Sequence, residues 1–157
     1  MKILFKIIIF IIILVIFSWL FFYTKDFLFA PTFDIKSVCY KNNCFLVELA
    51  VTTAQQEKGL MFVNKMDKKN GMLFIFSKEN IYPFWMKNTF IPLDIIWINK
   101  DKKVVYINEN SQPCLLNLEN CVMINPGASA LYVLEINAGI VKEIGLKIGD
   151  YLNFSDK

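Results

Sequence analysis

Apolar side chains run almost unbroken from Ile7 to Tyr23, with Ser18 the one polar interruption, and beyond that run the pattern changes character. From Phe33 apolar and polar positions alternate through Phe33-Asp34-Ile35-Lys36-Ser37-Val38, and again through Phe45, Val47, Leu49 and Val51. A period of two marks a strand with one buried face, so the pattern predicts a hairpin turning at Lys41-Asn42-Asn43. Thr53 is placed to cap a short helix over Ala54-Gln55-Gln56-Glu57-Lys58 that Gly59 closes. Three strands follow, over Gly71 to Phe76, Tyr82 to Lys87 and Leu93 to Ile98. The last of them turns at Asn99-Lys100-Asp101-Lys102 into Val104-Val105-Tyr106-Ile107. Asn108 to Gly127 forms a long connection, and such connections in compact domains tend to be functional or cross-linked. Ala130 to Ile136 is a further strand, Asn137 caps a helix over 138–144 ending at Gly145, and Tyr151 to Phe154 closes the chain as a strand. The expected fold class is mainly β (α+β): a mostly antiparallel barrel or half-barrel with two short helices, because the connections are too short for repeated parallel crossovers.

The 7–23 run predicts an N-terminal transmembrane helix. At 1.5 Å per residue it reaches roughly 26 Å, and snorkelling by Lys6 and Lys25 brings it to the ~30 Å of a hydrocarbon core. Trp19, Phe21, Phe22 and Tyr23 gather at one end, as interfacial aromatics do. A cleaved signal peptide is the alternative, but the run is long for one, and the residues before Pro31 make a poor cleavage site. Lys2 and Lys6 precede the run, so the positive-inside rule leaves the N-terminus in the cytoplasm and exports the remainder. The expected organisation is residues 1–31 as cytoplasmic N-terminus, membrane anchor and linker, and residues 32–157 as one exported domain.

Composition then removes whole classes of chemistry. All 17 basic residues are lysine, and the chain contains no histidine and no arginine. Histidine-based triads, histidine-containing zinc sites and bidentate phosphate forks are thereby excluded. The exported part is nearly neutral, with scattered lysines such as Lys68-Lys69 and Lys102-Lys103 in turns, so it carries no nucleic-acid footprint.

Four cysteines fall into two close pairs, Cys39 with Cys44 and Cys114 with Cys121. In an exported chain this pairing predicts disulfides. Three connectivities are possible, and the local one asks least of the fold. Each short loop then contributes about 2–2.5 kcal/mol. Four-thiolate zinc is a weaker alternative at these spacings, and no redox C-x-x-C occurs.

The order of motifs is the specific signal: Gly59-Leu60-Met61-Phe62, Gly71-Met72-Leu73-Phe74, Phe84-Trp85-Met86-Lys87-Asn88-Thr89, Ile91-Pro92-Leu93-Asp94-Ile95, Val133-Leu134-Glu135 and Gly149-Asp150. From about Phe45 to Phe154 the chain resembles the domain-of-unknown-function family one hundred and ninety-two. That resemblance implies a small, barrel-like, mainly β domain, often behind a signal or anchor, with no established activity. It also implies a cysteine pair where Cys114 and Cys121 stand. Three departures are that Lys58 represents the basic residue before the first motif, that the loop after Cys121 lacks the Pro-Thr-Tyr type of sequence, and that Cys39 and Cys44 match no family motif.

Within these motifs, Trp85, Lys87, Asn88, Asp94 and Glu135 are the candidate ligand-binding residues. On a strand Trp85 and Lys87 share one face while Phe84 and Met86 share the other. Lys87 offers a cation, Asn88 a donor and an acceptor, Asp94 an acceptor, and Trp85 a stacking surface for sugars or other small ligands. The structural alternative has Asn88-Thr89 and Asp94 bonding local backbone, with Lys87 solvated or paired to Asp94 or Glu135. Met61, Met66, Met72 and Met86 suit Cu(I), but beside so many aromatics they are better explained as core filling. No metal site and no cofactor are expected. Ser77, Ser111 and Ser129 have no partner base in sequence.

The expected function is a noncatalytic, membrane-tethered module outside the cytoplasmic membrane, in the periplasm or extracellular space, binding a small molecule or envelope component through the Trp85 to Asp94 region. The alternatives are a hydrolase or transferase using Asp94, Glu135 and Lys87, paired glycosidase carboxylates included, and a structural assembly domain.

Overall fold

A computed structural model of the chain describes residues 9–19, 34–114 and 121–156. The chain divides into two units, 1–32 and 33–157.

In the first unit, residues 9–19 are helical (α1), with exposed side chains. These residues rise only roughly 16 Å, about half a hydrocarbon core. Among the described residues no helix is long and apolar enough to cross a membrane. The expectation of a transmembrane helix over 7–23 is therefore not supported by the described helix, and both ends of that run lie outside the described residues.

The second unit is a seven-stranded mixed sheet with the order β5-β4-β6-β3-β2-β1-β7. Its strands are β1 (Ser37–Tyr40), β2 (Asn43–Ala50), β3 (Asn70–Asn80), β4 (Leu93–Ile98), β5 (Val104–Ser111), β6 (Ala130–Asn137) and β7 (Asn153–Ser155), with helices α2 (Thr53–Lys58) and α3 (Ile140–Ile144). The sheet curls into a half-barrel. Its two ends approach where Lys103 bridges Tyr151 and the Val104 N–H donates to the Asp150 carbonyl at 2.8 Å. Asp150 also accepts from the Tyr40 hydroxyl and the Lys147 N–H, each at 2.8 Å, so the Gly149-Asp150 motif pins this closure.

The β1–β2 hairpin is as expected, with Cys39 opposite Cys44. The expectation of antiparallel pairing is corrected at one place: β2 and β3 run parallel, Leu46 to Ala50 against Asn70 to Phe74. The 51–69 connection is long enough to carry the chain back over the sheet, and α2 lies within it. Three local expectations also shift. Thr52, not Thr53, caps α2, because its hydroxyl accepts from the Gln55 N–H while the Gln55 side chain accepts from the Thr52 N–H, a reciprocal capping box. Asn137 does not cap α3; its amide donates to the Met66 and Asp67 carbonyls, and Gly139 in the left-handed region opens the helix instead. Residues 82–87 form no strand. Phe84 bridges Ile124 antiparallel while Lys87 bridges Cys114 in parallel, so the partner changes within one turn and no ladder builds.

The two faces of the sheet carry two apolar clusters. Val38, Phe45, Leu73, Ile96, Leu134 and Ile136 fill the concave side with Val141 of α3. Phe74, Ile95, Trp97 and Val133 fill the other side, where Leu60 and Met86 cover them. Met72 is buried in the second cluster, and Met66 packs against it. The core-filling account of these methionines is what the packing supports.

Candidate functional site

The family motifs converge on the outer cover of the second cluster. Gly59-Leu60-Met61-Phe62 follows α2, and the Phe62 N–H donates to the Asn88 carbonyl at 2.8 Å. On the other side of the 84–88 segment, the Cys114 N–H donates to Met86 and the Asn88 N–H to Cys114, while Phe84 and Ile124 exchange two backbone bonds. Cys114 is bonded to Cys121, as Cys39 is to Cys44, so the local connectivity is the one formed. The second disulfide thus closes its loop directly beside Met86 and Asn88.

This framework presents an aromatic and cationic surface. Trp85 is 40% exposed, and the Lys87 ammonium lies over its ring, 4.9 Å from the centroid. The two share a face as expected, while Met86 is buried. Phe62, 61% exposed, meets the exposed Phe90 edge to face at 6.0 Å. Phe62 and Asn88 both adopt positive φ, +66° and +52°. Asparagine accepts that region readily, whereas phenylalanine does so at a cost of about 1–2 kcal/mol. An exposed aromatic held in a strained backbone is the kind of feature that gathers at binding sites. Phe62 and Phe90 were not singled out by sequence reasoning; the clue was the first motif, which ends in phenylalanine after a glycine.

Asp94 and Glu135 do not join this surface. Asp94 pairs with Ile136 across the sheet and Glu135 with Ile95, so the two carboxyls point to opposite faces. Asp94 is fully buried, and each of its oxygens accepts one backbone N–H at 2.8 Å, from Asn110 and from Val141. It acts as a remote cap on α3, whose own N-cap, Gly139, has no side chain. Glu135 is buried on the outer face between Met72 and Ile95, and its Oε2 has no hydrogen-bond partner among the described residues. Burial alone pushes its carboxyl up to about 8. Lys87 forms no ion pair with either acid among the described residues; its partner is the Trp85 ring.

Gly71 explains another motif. A Cβ there would stand 2.7 Å from the Glu135 carbonyl oxygen, so β3 and β6 can approach this closely only with glycine.

Residues 37–154 match the DUF192 family, described as "Uncharacterized ACR". The chain belongs to that family. Two solved structures are similar to this member at the level of sequence and fold. A protein of unknown function from Novosphingobium aromaticivorans DSM 12444 is 36% identical with a TM-score of 0.67, over 74% of this chain and 81% of that one. A protein from Sinorhizobium meliloti 1021, described as a candidate transcription regulator, is 35% identical with a TM-score of 0.68, over 77% and 92%. No curated protein matches. The DUF192 membership accounts for the motif order and the half-barrel, and the motifs map onto the cover of the outer cluster and the seam between β5 and β7.

Proposed function

We propose that this DUF192 protein is a noncatalytic binding module, tethered through residues 7–23 to the outer side of the cytoplasmic membrane, that holds a glycan-like envelope component on its Trp85 surface. The observation that carries the reading is the Trp85 ring, exposed and fixed beneath the Lys87 ammonium on a segment bonded to Cys114 and Ile124, with Cys114 joined to Cys121. An aromatic plane beside a cation and the Asn88 amide suits a polyhydroxylated ligand, which stacks its C–H face on the ring and bonds through its rim. Phe62 and Phe90 add exposed aromatic area next to it. The tether is supported by the hydropathy of 7–23 and its flanking lysines, and the exported location by the two disulfides, which persist in oxidising compartments.

The test is calorimetric titration of the full chain with soluble fragments of cell-wall glycan. Saturable heat that Trp85→Ala abolishes, with affinity that Lys87→Ala weakens about tenfold, supports the reading. No saturable heat, or unchanged affinity in Trp85→Ala, overturns it.

A further inference from the structure

A second site is indicated by Glu135, which the Trp85 surface does not use. A groove of about 1070 Å³ lies between β2 and the 59–67 loop, with Leu46, Glu48 and Met72 on its floor and Phe62 and Met66 on its wall. Glu48, Met72 and Glu135 are successive cross-strand partners on one face of the sheet. At the usual strand spacing Glu135 stands roughly 5 Å beyond Met72 and roughly 10 Å from Glu48. The Asn137 amide, two residues along β6 from Glu135, holds the Met66 and Asp67 carbonyls at 3.1 Å, so the same loop that walls the groove is fastened beside Glu135. Met66 and Met72 line the groove and pack in the outer cluster, on the face where Glu135 is buried with its Oε2 unpartnered among the described residues.

We propose that this groove binds a small ligand carrying a protonated amine on an apolar body, the body lying on Leu46, Phe62 and Met72 and the amine passing Met66 and Met72 to reach Glu135. Methionine is unbranched and adaptable, so it opens such a passage with little strain. The acids on this face are Glu48 and Glu135, and Asp67 lies on the covering loop; Lys36, Lys58 and Lys65 also line the groove with exposed heads, so the preference for a cation comes from Glu135 and not from the lining charge. Around Glu135 itself the facing side chains are Met72, Ile95, Val133 and Asn137, with Glu48 one strand further on and Lys65 and Asp67 on the covering loop; Asp94 is on the opposite face. In the empty site burial keeps the Glu135 carboxyl protonated. An ammonium beside it favours the carboxylate, so binding at neutral pH releases the Glu135 proton to solvent and leaves a charge-assisted ion pair.

The experiment is calorimetric titration of the full chain with hexylammonium, hexanol and hexanoate at pH 7, in two buffers of different ionisation enthalpy. Hexylammonium is expected to bind about tenfold more tightly than either control and to release close to one proton per site. Glu135→Gln should lose both the preference and the proton release, Glu48→Gln should lower affinity while keeping the release, and Trp85→Ala should change neither. Met66→Trp, which fills the passage without altering the acid, should abolish binding and serves if Glu135→Gln does not fold. Equal binding of the three probes, no binding, or unchanged hexylammonium binding in Glu135→Gln or Met66→Trp overturns the proposal. Loss of glycan binding by Trp85→Ala with the amine site intact separates this site from the first.

Discussion

The Phe62 N–H donates to the Asn88 carbonyl at 2.8 Å, and both residues of that bond lie in the left-handed region. The contact locks the loop after α2 to the Trp85 segment, so the two motifs form one surface although about 25 residues separate them in the chain. Phe62 gains little from the core, being exposed, and its strain is relieved by glycine. Phe62→Gly should therefore change stability by less than about 1 kcal/mol in urea denaturation while reducing ligand affinity at the Trp85 surface. Marked destabilisation would show the residue to be structural.

Asp94 should behave as a buried structural acid. Both oxygens accept backbone N–H groups, and asparagine would turn an amide donor toward one of them. Asp94→Asn should cost about 2–4 kcal/mol in urea denaturation, with α3 the region that loses hydrogen-exchange protection. Loss of binding at full stability would instead place Asp94 in a ligand site.

Glu135 makes stability depend on pH in a stated direction. Its carboxyl is held near 8 in the fold, against an ordinary 4.5 that applies to the unfolded chain. Between these values the folded state carries the extra proton, so stability falls as pH rises through the window, by at most about 1.4 kcal/mol per pH unit, and levels off above it. Glu135→Gln, which cannot ionise, should flatten that part of the profile in denaturation measured from pH 5 to 9. An unchanged slope would show that Glu135 is not its source.

Gly71→Ala should destabilise by about 1–3 kcal/mol, because the added methyl meets the Glu135 backbone oxygen rather than a movable side-chain tip. Thermal melting checks this, and a neutral result would mean that β3 and β6 separate freely at that point.

The two disulfides should differ in consequence. Cys39 and Cys44 join strand positions already paired in a tight hairpin, whereas the second disulfide joins Cys121 to Cys114, which is itself bonded to Met86 and Asn88. Intact-mass measurement should show a gain of about 4 Da on full reduction, one hydrogen for each thiol restored. Serine at Cys114 and Cys121 should cost about 2–2.5 kcal/mol and shift Trp85 emission, while serine at Cys39 and Cys44 should leave that emission unchanged.

Much of this molecule was legible from residue order. Leu93 to Ile98 appeared as a strand, apolar but for Asp94, because it is buried on both faces, and the two hairpins were marked by polar turns between alternating runs. The motif order gave the family, and cysteine spacing gave the local pairing. These are short-range properties, set by side-chain period, turn chemistry and loop length. What pairs with what across the sheet was decided only in three dimensions. The parallel β2–β3 ladder, the transfer of Asn137 from helix cap to loop clamp, and the split of 82–87 between two partners each depend on a segment far away in sequence. The same holds for the acids. Asp94 and Glu135 look alike in sequence, each a carboxylate among apolar neighbours. Register places them on opposite faces, where Asp94 meets two backbone donors and the Glu135 Oε2 meets no partner among the described residues.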